Sequence, residues 1–349
     1  MRGELISRKP VTWNPVAAIT DAGGAAQLAD LFTADGKQSQ SAHWYLSAAN
    51  LLTGLLLLEH DRGGDLRAVL RRLNETPVPG YVLLATAAAG DAKEILGAFA
   101  STPEREAGSI ISTARAALSL WLDTRVAQAT ASIPGTGLDL DALLAAPSTL
   151  YLVAPAEDAE RCRLLFSALL SDLLRKATER ARRLGGVLEP RLLLALDEAA
   201  NFARVPRLAS YASTGPGQGI QSLLCFHDLA QLEDGYGRSQ ARTIWNNCRA
   251  RMLLPGQADF ATLMLFTQVI GNETVIYDSL SHDHRGITSH ESRLARALVS
   301  PDVLRRTKNP VLLYADRPPA RLTARRWDQV AAWRDAVSRS RASPLIQAA

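Results

Sequence analysis

The chain has 349 residues, of which 47% are hydrophobic and 21% are charged, and its formal net charge is +4. This length and composition exclude an intrinsically disordered chain and allow a sizeable core in one large domain or two ordinary ones. The mildly basic balance permits contact with nucleic acid or an anionic membrane surface, but it does not require either.

Residues 1–36 are predicted to form an irregular segment, because proline and glycine recur along them. The opening stretch "MRGELISRKPVTWNP" has no apolar centre and does not predict a signal peptide. The longest apolar run, Leu46–Leu58, contains polar residues and is too short to span a bilayer. We therefore expect no transmembrane segment in this sequence and a chain that is soluble as given.

Residues 37–147 are rich in alanine and leucine, and their apolar positions recur three and four residues apart. This spacing puts apolar side chains on one face of successive helices, and strand-like alternation is scarce. The pattern is carried by Trp44, Leu51, Leu55, Leu58, Leu66, Val69, Leu70, Leu73, Ile110, Ala114, Ala117, Leu118 and Trp121. The range is therefore predicted to be an all-α subdomain.

Strands and helices alternate over residues 148–316. The segment Thr149–Pro155 predicts a short buried strand, and the amphipathic Ala159–Leu184 predicts a long helix that ends at two glycines. Five more strands are predicted in "RLLLAL", "IQSLLCF", "RARMLLP", "ETVIYDSL" and "PVLLYAD", with helices between them. Alternation of short apolar strands with helices predicts an α/β fold with a parallel sheet covered on both faces.

Two polar segments complete the chain. Ser279–Arg293 is predicted to be a polar loop, and residues 317–349 form a basic tail in which arginine and tryptophan mix. Such a mixture can bind single-stranded nucleic acid, but an amphipathic terminal helix is the favoured interpretation of the tail.

No spacing of cysteine or histidine predicts a metal site. The three cysteines are far apart and are predicted to be reduced, packed thiols: Cys162, Cys225 and Cys248. Three histidines share the polar loop, where a solvated loop is favoured over metal binding: His282, His284 and His290.

The strand Leu192–Leu196 is followed directly by Asp197 and Glu198. Ligands of a parallel sheet lie beyond the carboxyl ends of its strands, so both carboxylates are predicted to point into that crevice. A run of hydrophobic residues followed by Asp-Glu is the Walker B pattern, in which the Asp holds Mg²⁺ and the Glu orients the attacking water. The alternative is a buried strand that leads into an acidic helix cap.

The sequence downstream of this strand decides between these alternatives. It contains "N-F-A-x-V-P-R-L", "STGPGQGIQ", "D-L-A-Q-L-E-x-x-Y-G", "A-R-T-I-x-N-N" and "R-x-x-L-P-G", in that order. Taken together, Leu192–Gly256 resembles the VirD4/TraG/TraD family of type IV secretion coupling proteins. The likeness is closest to the C-terminal, TraM-recognition part of that family, and a weaker likeness covers most of the chain.

The resemblance implies a RecA-like P-loop-NTPase fold with the all-α subdomain inserted in it. It implies an ATP- and Mg²⁺-dependent motor that forms a homo-hexameric ring at the cytoplasmic face of the inner membrane. The implied partners are the single-stranded transfer DNA, a relaxosome or TraM-like protein, and other type IV secretion components. The motor would couple a DNA–protein substrate to the secretion channel.

The resemblance also assigns roles to individual residues. Asp197 and Glu198 would be the Walker B pair, with Asp197 holding Mg²⁺ through water. His227 would be the γ-phosphate sensor, which is a departure because the family usually has Gln or Asn there; imidazole can still donate a hydrogen bond. Arg249 or Arg251 would be an arginine finger toward a neighbouring subunit. The alternative for either arginine is a solvated residue at a strand edge.

The phosphate cradle of such a motor should read G-x-x-x-x-G-K-[ST]. The one Gly-Lys pair, Gly36-Lys37, is followed by Gln38, and Leu31 stands where the first glycine should be. The glycine-rich Ser213–Gly219 lies between a helix and a strand, the reverse of the phosphate-binding order, so a turn is favoured over a pore loop. The sequence therefore predicts Walker B without Walker A.

Two explanations of this gap stay open, namely a missing upstream piece and a degenerate paralogue. The first hypothesis for function is the C-terminal portion of a conjugative coupling ATPase, active only with a Walker A segment supplied from elsewhere. The second is a non-hydrolysing adaptor that binds a relaxosome protein or DNA. The third is a hexameric DNA translocase outside secretion.

Overall fold

A computed structural model describes residues 11–36, 42–131, 137–154, 158–202, 204–283 and 286–342. The described elements are helices in a first part, up to residue 145, and both helices and strands in a second part, from residue 159 on. Among the described residues, no helix combines the length and the apolar character needed to cross a bilayer.

The described residues of the first part form eight α-helices. The central helix α2, Ala42–Asp61, has buried leucines on more than one face. They are buried because neighbouring helices pack on several sides of it. Helix α3 begins after Asp65, whose carboxylate accepts a 2.9 Å hydrogen bond from the Ala68 N–H. The helices are α1 Ala22–Phe32, α2 Ala42–Asp61, α3 Leu66–Glu75, α4 Tyr81–Thr86, α5 Gly90–Ala100, α6 Glu104–Ala117, α7 Thr124–Ala129 and α8 Leu140–Ala145.

One apolar core runs through both parts of the molecule. It extends from Trp13 through the helices of the first part to Ile244 in the second. The long helix α9, Ala159–Arg183, contributes to that core and is tied to α8 by an ion pair of 2.6 Å between Lys176 and Asp141. The predicted helices of residues 37–147 are therefore present in the described part of that range, but they share their core with the α/β part.

The predicted strand over Thr149–Pro155 is wrong for its described part. Residues 149–154 form no helix or strand, and Val153 is 81% exposed. An apolar run becomes a strand only where another strand completes its backbone hydrogen bonds, and no described strand pairs with this one. Pro155 lies outside the described residues.

The second part contains both strands and helices, but they do not alternate strictly, because the strands Asn272–Asp283 and Gly286–Ala297 are consecutive, as are Val311–Tyr314 and Ala320–Arg321. Seven strands and seven α-helices follow α9 in the described part of the chain. The elements are β1 Leu192–Leu196, α10 Ala199–Phe202, α11 Leu208–Thr214, β2 Ile220–Leu224, α12 Leu229–Tyr236, α13 Arg238–Asn247, β3 Ala250–Leu253, α14 Phe260–Ile270, β4 Asn272–Asp283, β5 Gly286–Ala297, α15 Pro301–Arg306, β6 Val311–Tyr314, β7 Ala320–Arg321 and α16 Ala331–Ala342. The helix predicted in the basic tail is thus present as α16.

The described strands form three separate sheets rather than one. Strand β1 pairs with β2 in parallel, from Leu192 opposite Ile220 to Leu196 opposite Leu224, as the sequence predicts. Strand β6 pairs with β3 and β7, both antiparallel, so the prediction of uniformly parallel strands is wrong there. The pattern of strands and helices in the sequence predicts which elements exist. It does not determine whether a strand pairs parallel or antiparallel with its neighbour.

The polar loop predicted over Ser279–Arg293 is also wrong. Strands β4 and β5 pair antiparallel along their whole length and close at Asp283 opposite Gly286. The sequence of this stretch does not alternate apolar with polar residues, so the periodicity that normally marks a strand is missing from it. The side chains of His282 and His290 and all of His284 lie outside the described residues, and the metal alternative stays a prediction.

Candidate functional site

Asp197 and Glu198 lie where the sequence places them, at the carboxyl end of β1. The Leu194 side chain is buried in the core, whereas Asp197 is exposed and Glu198 is half-buried. Glu198 adopts a left-handed backbone conformation, with φ of 49°. A residue other than glycine pays roughly 1–3 kcal/mol for such a conformation, and strain of this kind clusters at functional sites.

Two backbone hydrogen bonds hold this turn against the end of β2. The Cys225 N–H donates to the Leu196 carbonyl over 2.9 Å, and the Ala199 N–H donates to the Cys225 carbonyl over 3.0 Å. Glu198 therefore cannot change its backbone conformation unless these two hydrogen bonds at the end of β2 break. The turn fixes both carboxylates at the edge of the sheet.

His227 follows β2 and lies beside Glu198. Its Nε2 atom is 3.6 Å from Oε1 of Glu198, and the two side chains are 65% and 45% exposed. The structure thus brings together three of the five predicted site residues, namely Asp197, Glu198 and His227, at one edge of the β1–β2 sheet. Both side chains of the pair remain open to solvent and to a ligand.

Two glutamines hold the backbone of His227. Its N–H donates to Oε1 of Gln231 over 2.8 Å, and its carbonyl accepts from Nε2 of Gln257 over 2.8 Å. The next segment is fixed as well, since the Leu229 N–H donates to Oγ1 of Thr262 over 2.9 Å. The sequence analysis did not predict a role for Gln231, Gln257 or Thr262. The one available signal was the position of Gln257, just beyond the carboxyl end of β3.

Cys225 lies next to this edge and is exposed, so the prediction of three packed thiols is wrong for it. All three cysteines are free thiols. Burial of part of the side chain and the nearby Asp197 carboxylate raise the pKa of the Cys225 thiol. A thiol with a raised pKa is a poor nucleophile at neutral pH, so Cys225 does not add covalent chemistry to the site.

The structure does not bring Arg249 and Arg251 to this edge. Arg249 precedes β3, and its guanidinium lies 5.8 Å from the ring centre of Tyr314. Arg251 donates to the Trp245 carbonyl over 2.9 Å and stacks on the Trp245 ring at 5.2 Å. A role toward a neighbouring subunit stays a prediction, and for Arg251 it would require the loss of these contacts.

The glycine-rich segment Ser213–Gly219 forms the turn that the sequence predicts. Residues Gly215–Gln218 make one turn of 3-10 helix, and Gly219 has φ of 79° at the start of β2. A Cβ atom at Gly219 would lie 2.9 Å from the carbonyl oxygen of Leu188. Glycine is required there for close packing of two backbones, which explains the motif without a phosphate ligand.

A large cavity lies elsewhere, between α1, α9 and the segment that follows α10. Its volume is about 1070 Å³, and none of Asp197, Glu198 and His227 lines it. Asp172 in its wall is buried, and this burial raises the pKa of its carboxyl group, although Arg175 donates to it over 2.6 Å. Arginines and carboxylates alternate along the wall, so the cavity does not favour one class of ligand.

The three residues at the β1–β2 edge fit part of a magnesium–nucleotide site. Mg²⁺ keeps several waters and takes one or two carboxylates together with phosphate oxygens, and the exposed Asp197 can supply such a carboxylate. Glu198 and His227 add a carboxylate that can orient water and a ring that can donate to phosphate. The printed sequence has no G-x-x-x-x-G-K-[ST] motif to supply a cradle of backbone N–H groups for phosphates.

A comparison with protein families identifies the group to which the chain is related. The family model described as type IV secretory system conjugative DNA transfer matches residues 8–332. The chain belongs to this family. Two curated conjugal transfer proteins TraG of Escherichia coli are each 25% identical to it, over 336 and 341 residues.

The alignments cover 86% and 85% of this chain but 52% of each TraG protein. The chain therefore spans about half the length of the curated relatives that it matches.

Solved structures of the conjugative coupling protein TrwB share the fold of this chain. The unbound coupling protein TrwBdeltaN70 superposes with a TM-score of 0.66 at 19% identity, covering 90% of this chain and 71% of that one. TrwB with ADP and Mg²⁺ gives 0.65 at 18% identity, covering 91% and 73%. TrwB with a non-hydrolysable ATP analogue gives 0.65 at 18% identity, covering 90% and 71%. The chain thus has the α/β fold of TrwB.

Proposed function

We propose that this chain is the part of a conjugative coupling protein that carries the Walker B half of a Mg²⁺–ATP site. The observation that carries the proposal is the grouping of Asp197, Glu198 and His227 at one carboxyl edge of a parallel strand pair. Ligands of α/β sheets bind at such an edge.

Each of the three residues has a distinct proposed role. Asp197 holds Mg²⁺ through water, because its carboxylate is exposed. Glu198 accepts a proton or a hydrogen bond from the attacking water, and its left-handed backbone keeps the carboxylate at the edge. His227 donates to the terminal phosphate from a ring whose backbone is fixed by Gln231 and Gln257. When bound, Mg²⁺ supplies charge neutralisation between two phosphates.

Support for this ligand comes from TrwB, which has been solved with ADP and Mg²⁺ and with an ATP analogue. The sequence itself has no G-x-x-x-x-G-K-[ST] motif, so nothing in it binds the phosphates through backbone N–H groups and a lysine. We propose that the chain hydrolyses ATP only together with a segment that supplies this motif. The all-α subdomain of residues 37–147 and the RecA-like portion of residues 148–316 belong to the same motor.

The assembly proposed for the motor follows from its family. It acts as a homo-hexamer at the cytoplasmic face of the inner membrane and couples transfer DNA and its relaxosome protein to the secretion channel. The missing phosphate motif also favours a second candidate function, a non-hydrolysing adaptor that binds a relaxosome protein or DNA. These two functions differ in one property, which is Mg²⁺-dependent binding of ATP by a form that includes the missing motif.

The experiment that tests the proposal starts from the DNA upstream of Met1. This DNA is read for in-frame codons of a G-x-x-x-x-G-K-[ST] motif. We expect a longer protein that includes this motif to bind ATP in the presence of Mg²⁺. In that protein, Asp197→Asn should weaken the Mg²⁺ dependence of ATP binding. Asp139→Asn, at the exposed N-cap of α8, is the control and should not change it. A longer protein that binds ATP equally well with and without Asp197 would refute the assignment.

A further inference from the structure

Helix α12 begins at Leu229, two residues after His227, and its first turn is completed by another helix. The N-cap residue Asp228 accepts from the Gln231 N–H over 2.7 Å. The Leu229 N–H has no acceptor within α12, as is general for the first turn of a helix. It donates instead to Oγ1 of Thr262, in α14, over 2.9 Å. The start of α12 is therefore held by the start of α14.

A second contact joins His227 itself to the start of α14. The Gln257 side chain donates to the His227 carbonyl over 2.8 Å and accepts from the Asp259 N–H over 2.7 Å. Asp259 is the N-cap of α14, and its carboxylate accepts from both the N–H and the hydroxyl of Thr262 over 2.7 Å. His227 and the two residues after it are thus connected to the first turn of α14 by a continuous set of hydrogen bonds.

The Thr262 hydroxyl has two partners in this set. It donates to Asp259 and accepts from the Leu229 N–H, and its residue is 7% exposed, so bulk water does not replace either bond. Thr267, further along the same helix, is 6% exposed, and its hydroxyl has no hydrogen-bond partner among the described residues. Two threonines of equal burial on one helix therefore differ in whether the hydroxyl contacts the His227 segment.

The same helix packs against the stack of Arg251 on Trp245. Phe266 lies one turn after Thr262 on the same face of α14. Its ring meets the Trp245 ring edge to face, with 5.4 Å between the ring centres. The Arg251 guanidinium lies 5.2 Å from the centre of the Trp245 ring. One helix therefore contacts the His227 segment at one turn and the arginine–tryptophan stack at the next.

Helix α14 is able to transmit a displacement between these two contacts. It runs from Phe260 to Ile270, and the hydrogen bonds along its backbone make it shift as one body when a side chain packed on it moves. A shift of α14 changes the position of Thr262, which bonds to the Leu229 N–H. Arg251 and His227 are thus physically connected, although they lie at different places in the structure.

We propose that helix α14 couples the Arg251–Trp245 stack to the position of His227 beside Glu198. Gln257 and Thr262 are the positioning residues of this coupling. Resting on the proposed function, displacement of Arg251 from the Trp245 ring shifts α14 and changes the distance between His227 and Glu198. Coupling between two sites is reciprocal, so a change at His227 also loosens the stack.

The first experiment measures amide hydrogen exchange of Leu229 in the 349-residue chain. Thr262→Val removes the hydroxyl at nearly constant size, whereas Thr262→Ser keeps it. We expect exchange at least about tenfold faster in the Val variant, because the Leu229 N–H loses its acceptor, and unchanged exchange in the Ser variant. Thr267→Val is the control on the same helix and should leave Leu229 unchanged. The amide of Leu55, buried in α2, reports on global unfolding.

The second experiment tests the coupling with a double-mutant cycle. Arg251→Gln loses the stack on Trp245, and we expect exchange of the Leu229 amide to become at least about threefold faster. In the Thr262→Val background the same change should have no further effect, because the contact between α14 and Leu229 is already gone. Arg249→Gln is the matched control, since Arg249 lies over Tyr314 instead, and it should leave Leu229 unchanged.

The third measurement follows the His227 ring by its Cε1–Hε1 signal in nuclear magnetic resonance, assigned by its loss in His227→Gln. Glu198→Gln should move this signal, because Nε2 of His227 lies 3.6 Å from Oε1 of Glu198. Thr262→Val and Arg251→Gln should move it as well, and Thr262→Ser should not. Rescue by serine separates the hydroxyl contact from a general packing role of residue 262.

Three results would overturn the proposal. They are equal Leu229 exchange in the Val and Ser variants of Thr262, an Arg251→Gln effect that is absent or equal in both backgrounds, and a His227 signal that Thr262→Val leaves in place. A His227 signal that moves with Thr262→Val and Arg251→Gln but not with Glu198→Gln would contradict the proposed function and support the coupling. Since these measurements need no nucleotide, the coupling is tested independently of ATP binding.

Discussion

Nε2 of His227 lies 3.6 Å from Oε1 of Glu198, although the two residues follow different strands. The parallel pairing of β1 with β2 causes this proximity, because Leu196 lies opposite Leu224 and the chain leaves both strands at the same edge. The sequence predicts each residue at the end of a strand. The pairing of those strands turns two separate predictions into one site.

Glu198→Gln should slow ATP hydrolysis by a form of the protein that includes the phosphate motif. Glutamine keeps the size of the side chain but cannot accept a proton from water. We expect a rate at least about tenfold lower, which corresponds to roughly 1.4 kcal/mol of activation free energy. The measurement is steady-state phosphate release at saturating ATP. Glu75→Gln, at an exposed helix end, serves as the control, and an unchanged rate for Glu198→Gln would remove this residue from the mechanism.

Glu198→Gly should stabilise the fold relative to Glu198→Ala. Both variants lack the carboxylate, but glycine alone adopts a φ of 49° without a steric penalty. We expect the glycine variant to have a free energy of unfolding about 1 kcal/mol higher than that of the alanine variant. Urea denaturation of the two variants measures the difference. Equal stabilities would show that the left-handed turn stores no strain.

Variants of His227 test whether its side chain acts as a hydrogen-bond donor or only fills space. In the longer, ATP-hydrolysing form, His227→Gln should keep most of the activity, because an amide can donate to phosphate as an imidazole does. His227→Leu should lower the rate by at least about tenfold, since a donor to the terminal phosphate is lost. The same phosphate-release assay measures both. Equal activity of the Gln and Leu variants would exclude a sensor role.

Asp141 and Lys176 predict a small dependence of stability on pH. The hydrogen bond from Lys176 holds the pKa of Asp141 below its ordinary value of 3.8. A lowered pKa in the folded state gives stability that is present above pH 3.8 and is lost as the pH falls through the folded value. Asp141 is 49% exposed, so the contribution stays below about 1 kcal/mol.

Asp141→Asn provides the test of this ion pair. The variant should be slightly less stable than the original chain at pH 7, and the difference should vanish in strongly acidic solution, where Asp141 is protonated in both states. Urea titrations at several pH values measure it. A difference that stays constant with pH would assign the effect to something other than charge.

The sequence predicts those features of the fold that depend on local periodicity. Helices of the first part, the strand before Asp197 and the turn at Gly219 follow from apolar spacing and glycine position, and the structure contains them. His227 lies beside Glu198 because the two residues follow strands that pair in parallel, and the roles of Asp197, Glu198 and His227 stay predictions.

Features that depend on distant partners were not predictable in the same way. Residues 149–154 have the composition of a strand but no described strand beside them. The sequence of β4 and β5 lacks the alternation of apolar and polar residues that predicts a strand. These residues form strands because they pair with each other. Arg251 has the position of a free arginine in the sequence, but packing places Trp245 under its guanidinium.

Calorimetric titration of the 349-residue chain with ATP and Mg²⁺ tests the central claim most directly. We propose that Asp197 and Glu198 are one half of an ATPase site whose phosphate-binding half this sequence does not contain. We expect no binding by the chain alone at micromolar concentrations of ATP, because a carboxylate and an imidazole without a backbone cradle do not hold a triphosphate. Micromolar binding that is lost in the Asp197→Asn variant would show a complete site within these residues and contradict this expectation.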